Sequence, residues 1–178
     1  MGFDARIKDY VDDEILNAVA TLLSAPGGTQ LLKAADVIAQ TFGASSSLFS
    51  SEKADFEEKL ISSFQKNLTL LIQKTWVEKA DAELKENVLY KLSEFCKQTP
   101  SDSWNHLYQT FLQIINDVVY LMFGNQSKTE DFAEYALRID PEFGIFCFYI
   151  RNLPEETEWP NEKCRVVILL GMYFLANY

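Results

Sequence analysis

The sequence predicts an all-α protein, an irregular helical bundle of six to eight helices, on three observations. Apolar residues recur every three or four positions along most of the chain, which is the spacing that lines one face of a helix. Glycine, proline and capping residues separate these periodic segments. Apolar residues also make up 48% of the 178-residue chain, so there is enough material for one dominant core.

Residues 1–43 predict an N-terminal helical hairpin. Its first helix extends from Asp4 to Ser24, and the segment Pro26-Gly27-Gly28 then breaks the chain. Thr29 is a candidate cap for the second helix, and Gly43 is placed to end that helix in a left-handed conformation.

The serine-rich residues 44–51 predict a linker between the hairpin and a main helical domain, which comprises residues 52–178. Between Glu52 and Gln98 there is no glycine or proline, so this segment forms either one helix of about 45 residues or two. Two are favoured, because helices in globular proteins average about 11 to 12 residues. We therefore expect a break near residues 75–81, where start signals occur.

Trp104 to Phe123 predicts a strongly apolar helix, which Gly124-Asn125 ends. Ser127-Lys128-Thr129-Glu130 has the pattern of a capping box and predicts a helix from about Lys128 to Ile139, stopped by Asp140-Pro141.

Phe143 to Ile150 is an unbroken apolar run, whose pattern alone does not distinguish a buried strand from a buried helix. The helical context favours a helix. Pro154 and Pro160 bracket an acidic loop, after which Asn161 is expected to cap the final helix. The uncharged stretch from Val166 to Tyr178 is shorter than the roughly 20 residues that span a bilayer, so we interpret it as a core helix.

The charge of the chain limits its partners. With 26 acidic and 16 basic residues the formal net charge is -10, which disfavours binding to nucleic acid or to an anionic membrane surface. A neutral or basic protein partner is compatible with this charge.

The first twenty residues contain several carboxylates where a secretory signal has a basic and then an apolar region. Cys96, Cys147 and Cys164 include no Cys-x-x-Cys pair, so we expect three small buried hydrophobic residues and neither a disulfide framework nor a zinc site. Both observations favour a cytoplasmic location.

The only histidine is His106, which excludes metal sites that need two or more. Asp102 lies four residues earlier and could hold the imidazole, so the two form a candidate polar site for a general base or a haem ligand. Nucleophile motifs and phosphate-binding glycine loops are missing, and the acidic clusters do not complete a magnesium pattern. The sequence therefore predicts no catalytic residue, no metal and no cofactor.

Residues 133–141, reading Ala-Glu-Tyr-Ala-Leu-Arg-Ile-Asp-Pro, resemble the second helix and exit of a tetratricopeptide repeat. The resemblance implies a peptide-binding helical array, because such repeats recur about every 34 residues and form a concave groove. It covers one part of one unit, and no second copy follows. No family is assigned on this basis.

The leading functional hypothesis is a helical protein–protein interaction module without catalytic activity: an adaptor, a chaperone-like protein or an inhibitory partner. It would bind a partner protein or form a homodimer. Two segments, Trp104 to Phe123 and Phe143 to Ile150, are apolar on nearly all sides. They carry more apolar surface than one helix face buries, which suggests an exposed apolar surface. Its candidate residues are Phe143, Phe146, Phe148, Tyr149 and Trp159. Alternatively, both segments are central core helices.

Two other hypotheses stay open. The first is an all-helical sensor domain that binds a lipid, an acyl chain or haem in an interhelical pocket, surrounded by aromatic residues such as Phe111, Phe146 and Phe148. The second is an enzyme for which Asp102 and His106 are the only anchor.

Overall fold

The computed structural model describes residues 9–45, 47–50, 56–100, 102–129 and 131–178, and these form an all-α fold as predicted. The α-helices of the described ranges are α1 Asp13–Ser24, α2 Gly28–Thr41, α3 Phe56–Lys74, α4 Ala82–Lys97, α5 Trp104–Phe123, α6 Phe132–Ile139, α7 Pro141–Arg151 and α8 Asn161–Asn177. Short 3-10 helices, Lys79–Asp81 and Gly124–Lys128, precede α4 and follow α5. No strand occurs in these ranges.

Helix α8 is the central helix of the bundle. Every residue from Lys163 to Ala176 except Arg165 and Tyr173 is buried, as expected for a helix surrounded by others. It packs against α2, α3 and α5. At Gly171 the ring of Phe111 lies only 2.7 Å from the place that a Cβ atom would occupy, so α5 approaches α8 closely there. The predicted core helix is confirmed.

Helices α1 and α2 pack against each other as a hairpin. The predicted start of the first helix at Asp4 is wrong for the described part, because residues 9–12 are not helical and α1 begins at Asp13; residues 4–8 lie outside the described residues. Gly43 follows α2 with φ of +106°, and the amide of Ala44 donates to the carbonyl of Ala39 at 3.0 Å, so the predicted left-handed helix end is confirmed. The expected cap at Thr29 is wrong. Because Gly27 occupies the capping position, Thr29 lies inside the first turn of α2.

Residues 47–50 are tied to α2 by the buried carboxylate of Asp36. Its oxygens accept hydrogen bonds from the amides of Phe49 and Ser50, at 2.7 and 3.1 Å, and from the Ser50 hydroxyl. The side chain of Phe49 is buried. The division into a hairpin, a linker at 44–51 and a main domain stays a prediction.

Helices α3 and α4 replace the single long helix that was the alternative for residues 52–98, and the break falls between residues 75 and 81 as predicted. The ammonium group of Lys85, in the first turn of α4, donates to the carbonyls of Gln73 and Thr75 at 3.0 and 2.8 Å. A cation there satisfies carbonyls at the C-terminal end of α3 that have no partner within the helix.

Helix α5 has the predicted bounds, and Gly124 ends it as predicted, with φ of +64°. The connection that follows is a 3-10 helix, Gly124–Lys128, so the predicted start of the next helix at about Lys128 is wrong. The amide of Thr129 then donates to the carbonyl of Gln126 at 3.1 Å, so α6 begins only at Phe132. Glu130 of the expected capping box lies outside the described residues.

Phe143 to Ile150 lies within a helix, as the context indicated. The carboxylate of Asp140 accepts from the amide of Phe143 at 3.2 Å and caps α7, with Pro141 in the first turn. At Gly144 an added Cβ atom would lie 2.6 Å from the Cα atom of Leu137, so α6 and α7 are in backbone contact at that point.

The expected cap of the final helix at Asn161 is wrong, because the capping position is Pro160. The side-chain oxygen of Asn161 instead accepts from the amide of Asn105 at 3.2 Å. This bond joins the starts of α5 and α8. Among the described residues no helix is both long and apolar enough to cross a membrane.

Candidate functional site

Four residues of the expected interaction surface lie in the core. The side chains of Phe143, Phe146, Phe148 and Tyr149 are at most 2% exposed, so the prediction of an exposed apolar surface is wrong for them. The ring of Phe146 stacks on Phe174 of α8 at 4.7 Å between centroids. The hydroxyl of Tyr149 donates to the carbonyl of Val167 at 3.0 Å. The alternative of a central core helix is correct.

Trp159, the fifth residue of that expected surface, is partly buried and covers a buried cation. The Lys163 ammonium lies 4.4 Å from the centroid of its indole ring. The same ammonium donates to the carbonyls of Leu23 and Ala25, at 2.7 and 2.6 Å, where α1 ends. Because Lys163 is only 2% exposed, burial lowers its pKa from the usual value. This arrangement fastens α1 to α8.

The candidate polar site is not assembled. Asp102 and His106 are both exposed, and no hydrogen bond joins their side chains in the described part of the chain. His106 lies on the solvent side of the first turn of α5. The hypothesis of an enzyme built on these two residues therefore has no support from their geometry.

The aromatic residues expected to surround an apolar ligand fill the interior themselves. The ring of Phe111 lies 6.3 Å from that of Phe64 and 5.9 Å from that of Phe95. Phe146 and Phe148 are buried in the same core. The packing of these rings among the described residues gives the sensor hypothesis no support.

A groove open to solvent lies on the side of α5 that is opposite to Phe111. We take this groove as the candidate functional site. It is a cavity of about 770 Å³ between the start of α4, the C-terminal half of α5, the following 3-10 helix, and the end of α7 with the loop after it. The apolar residues that form its floor are Leu84, Val119, Phe132, Cys147, Ile150 and Leu153. The polar residues of its walls are Asp81, Asn116, Asp117, Tyr120, Ser127, Lys128, Arg151 and Glu155.

Both basic residues of the groove rest on aromatic rings. The Arg151 guanidinium lies 5.2 Å from the centroid of the Phe132 ring and also donates to the carbonyl of Ser127. The Lys128 ammonium lies 5.2 Å from the centroid of the Tyr120 ring. Each cation is therefore stabilised within the chain by the negative face of a ring.

The acidic residues of the groove are less well compensated. Asp81 accepts a long hydrogen bond, 3.4 Å, from the Tyr120 hydroxyl. Burial raises the pKa of Asp117, while Lys91 on α4 opposes that shift. Glu155 is exposed. Within the described ranges none of these three carboxylates takes part in an ion pair.

The Tyr120 hydroxyl responds to the negative potential of this wall. Its pKa is raised, first by the charge of Asp81 and then by desolvation, by the hydrogen bond to Asp81 and by the charge of Glu78. Phenolate is disfavoured near carboxylates, whereas a cation is favoured. The Asp81 side of the groove is thus suited to positive charge.

Burial holds the thiol on the groove floor, Cys147, in its protonated form. Burial raises the pKa of Cys147 to about 12, with a smaller opposing effect of Arg151 and a further rise from Asp140. At neutral pH the thiol stays protonated, and the thiolate is the reactive form. Cys96 and Cys164 are also buried and free, so the expectation of three small buried hydrophobic residues is confirmed.

Sequence reasoning did not find the groove, because its walls come from segments between Asp81 and Glu155 that are distant in the sequence. One signal was present. Asp117 is the only charged residue between Trp104 and Phe123, and a lone carboxylate in an apolar helix indicates either a polar edge or a site.

The chain has no significant match among protein-family models, curated proteins or solved structures. The similarity of residues 133–141 to a tetratricopeptide repeat therefore remains a local one.

Proposed function

We propose that this protein is a helical protein–protein interaction module without catalytic activity, and that the groove binds a peptide segment of a partner protein. The observation that carries the proposal is the shape and lining of the groove. Its volume of about 770 Å³ falls within the range of about 300 to 1,000 Å³ that is typical of ligand sites. An apolar floor with charged walls is the usual anatomy of a protein interface.

The exposed positions of the walls favour a peptide over an enclosed small molecule. Asn116, Lys128, Arg151 and Glu155 are all exposed, so a chain can lie along the groove and leave it at either end. Their opposite charges would fix the direction of a bound segment.

Trp76 adds a second contact point for a partner. Its side chain is 81% exposed, and it lies in the α3–α4 connection, five residues before Asp81. Tryptophan is among the residues that contribute most binding free energy at interfaces. A large indole that the fold leaves in water supports a role in binding.

The same proposal places the protein in the cytoplasm, as an adaptor, a chaperone-like protein or an inhibitor. Three free cysteines suit a reducing compartment. The net charge of -10 favours neutral or basic partners over nucleic acid.

The test is selection of a library of displayed 12-residue peptides on the full chain, followed by affinity measurements on the peptides it yields. Asn116→Trp fills the groove from an exposed position of α5. Gln113→Trp is the matched control, because Gln113 is exposed on the same helix one turn earlier and does not line the groove.

We expect Asn116→Trp to weaken peptide binding by about tenfold or more, equivalent to about 1.4 kcal/mol, and Gln113→Trp to leave it unchanged. Both variants should keep the wild-type unfolding midpoint. A selection that yields no binding peptide, or peptides that bind both variants as well as the wild type, would contradict the proposal.

A further inference from the structure

We infer that the groove takes a segment carrying a lysine or arginine next to an apolar residue, with the cation facing Asp81 and Asp117. This inference rests on the proposed function and names the partner chemistry of the same site.

The two carboxylates reach one wall of the groove from different elements. Asp117 and Tyr120 are three residues apart on α5, and residues at this spacing are neighbours on one helix face. Asp81 extends from the α3–α4 connection to the hydroxyl of Tyr120. Tyr120 therefore shares a helix face with Asp117 and is bonded to Asp81, while its ring already carries the Lys128 ammonium.

Neither carboxylate takes part in an ion pair within the described ranges, and their compensation is limited to the long bond from Tyr120 to Asp81 and the charge of Lys91 near Asp117. Asp117 is partly buried and makes no ion pair there. A carboxylate that is withdrawn from water without a cation or donor raises the free energy of the folded state. The raised pKa of Asp117 reflects this cost. An ammonium or guanidinium group supplied by a partner would remove it.

The basic residues of the groove do not favour the opposite choice, an acidic segment. Lys128 and Arg151 already rest on the rings of Tyr120 and Phe132, and Arg151 also donates to Ser127. An acidic segment would have to compete with these contacts while it is repelled by a protein of net charge -10. A basic segment gains from the same field during its approach.

The floor explains why an apolar residue should accompany the cation. Of the apolar residues that line the groove, only Leu84 is partly exposed, and the other five are buried. A small apolar side chain of the partner would cover the exposed part of Leu84, at about 25 cal/mol per Å² removed from water. The charge would set the register and the apolar contact would add affinity.

The experiment uses the peptide selection described above, with sequences counted after selection on the wild type and on Asn116→Trp. We expect peptides specific to the wild type to be enriched in lysine or arginine beside leucine, isoleucine, phenylalanine or methionine. Binding of one such peptide should weaken about tenfold in Asp117→Asn and Asp81→Asn, about 1.4 kcal/mol. It should also weaken as salt is raised.

Asp102→Asn is the control, because Asp102 is an exposed carboxylate outside the groove, and it should bind as the wild type does. Enriched peptides that are acidic or uncharged, or binding that is insensitive to both groove substitutions, would overturn this inference and leave the proposed function standing. A selection that yields no groove-specific peptide would overturn both.

Discussion

Lys163 and Asp117 are both charged side chains that the fold withdraws from water, and they lie in regions of opposite character. Lys163 lies where α1, α8 and the preceding loop meet, with two carbonyl acceptors and an indole ring around its ammonium. Asp117 lies in the wall of the groove and makes no ion pair in the described part of the molecule. Both pKa shifts are caused by burial.

The difference indicates which region is complete. A fold tolerates a buried charge when donors or acceptors surround it, as they surround Lys163. The aromatic core at the opposite end of α8 is filled as well, with Phe143 and Phe146 packed on each other and on Phe174. In the groove, by contrast, Asp117 is compensated within the described ranges only by the charge of Lys91, and under the proposed function a second molecule would complete its contacts.

The largest change in the free energy of unfolding is expected in the filled aromatic core. Phe146→Ala removes a ring that stacks on Phe174 and leaves a cavity, so the free energy of unfolding should fall by about 3 to 5 kcal/mol. Chemical denaturation followed by circular dichroism measures it. Ile139→Ala is the control, because Ile139 is 58% exposed, and it should cost less than about 0.5 kcal/mol. Equal losses in both variants would contradict the filled core.

A smaller effect is expected at the buried cation. Lys163→Met keeps much of the side-chain volume but leaves the carbonyls of Leu23 and Ala25 without their donor, which should cost about 2 to 3 kcal/mol. Hydrogen exchange should become faster in α1 and α2 before other helices, because the contact between α1 and α8 is weakened. Lys59→Met, at an exposed position of α3, should change neither quantity. Exchange that accelerates uniformly would show that Lys163 does not act on the hairpin.

The smallest change in the free energy of unfolding is expected in the groove, and it should be an increase. Burial raises the pKa of Asp117 in the folded state, so its contribution to stability is present at low pH and is lost as the pH rises through that pKa. Asp117→Asn should therefore stabilise the protein at pH 7 by less than about 1 kcal/mol, since the carboxyl is only partly buried.

This gain should vanish at a pH low enough to protonate the carboxyl, which denaturation at two pH values measures. Asp102→Asn provides the comparison at an exposed site and should be neutral. A loss of stability in Asp117→Asn at pH 7 would mean that the groove already compensates its charge.

The helices could be predicted from the sequence where the signal is local. The bounds of α5 and the break between α3 and α4 follow from apolar period and from residues that start or stop helices. Local signals failed where a distant or competing bond decided the outcome. Asn161 was expected to cap its own helix, but its oxygen accepts from Asn105, 56 residues away.

The site could not be predicted, because apolar composition does not indicate which faces other helices cover. The aromatic residues of α7 resembled an exposed patch in the sequence, but Phe174 and Tyr178 of the α8 region pack against them. The groove depends on the relative placement of residues from Asp81 to Glu155, which no local pattern records. The one sequence signal that falls in the groove is Asp117, the single charged residue of α5.

The contact of Lys163 with the end of α1 joins two segments that the ribosome makes at different times. The hairpin is complete at residue 41, but its partner helix is translated about 120 residues later. At about 5 to 20 residues per second, this interval is roughly 6 to 24 s. The apolar side of α2 that meets α8 therefore waits in the nascent chain without its partner, in reach of chaperones.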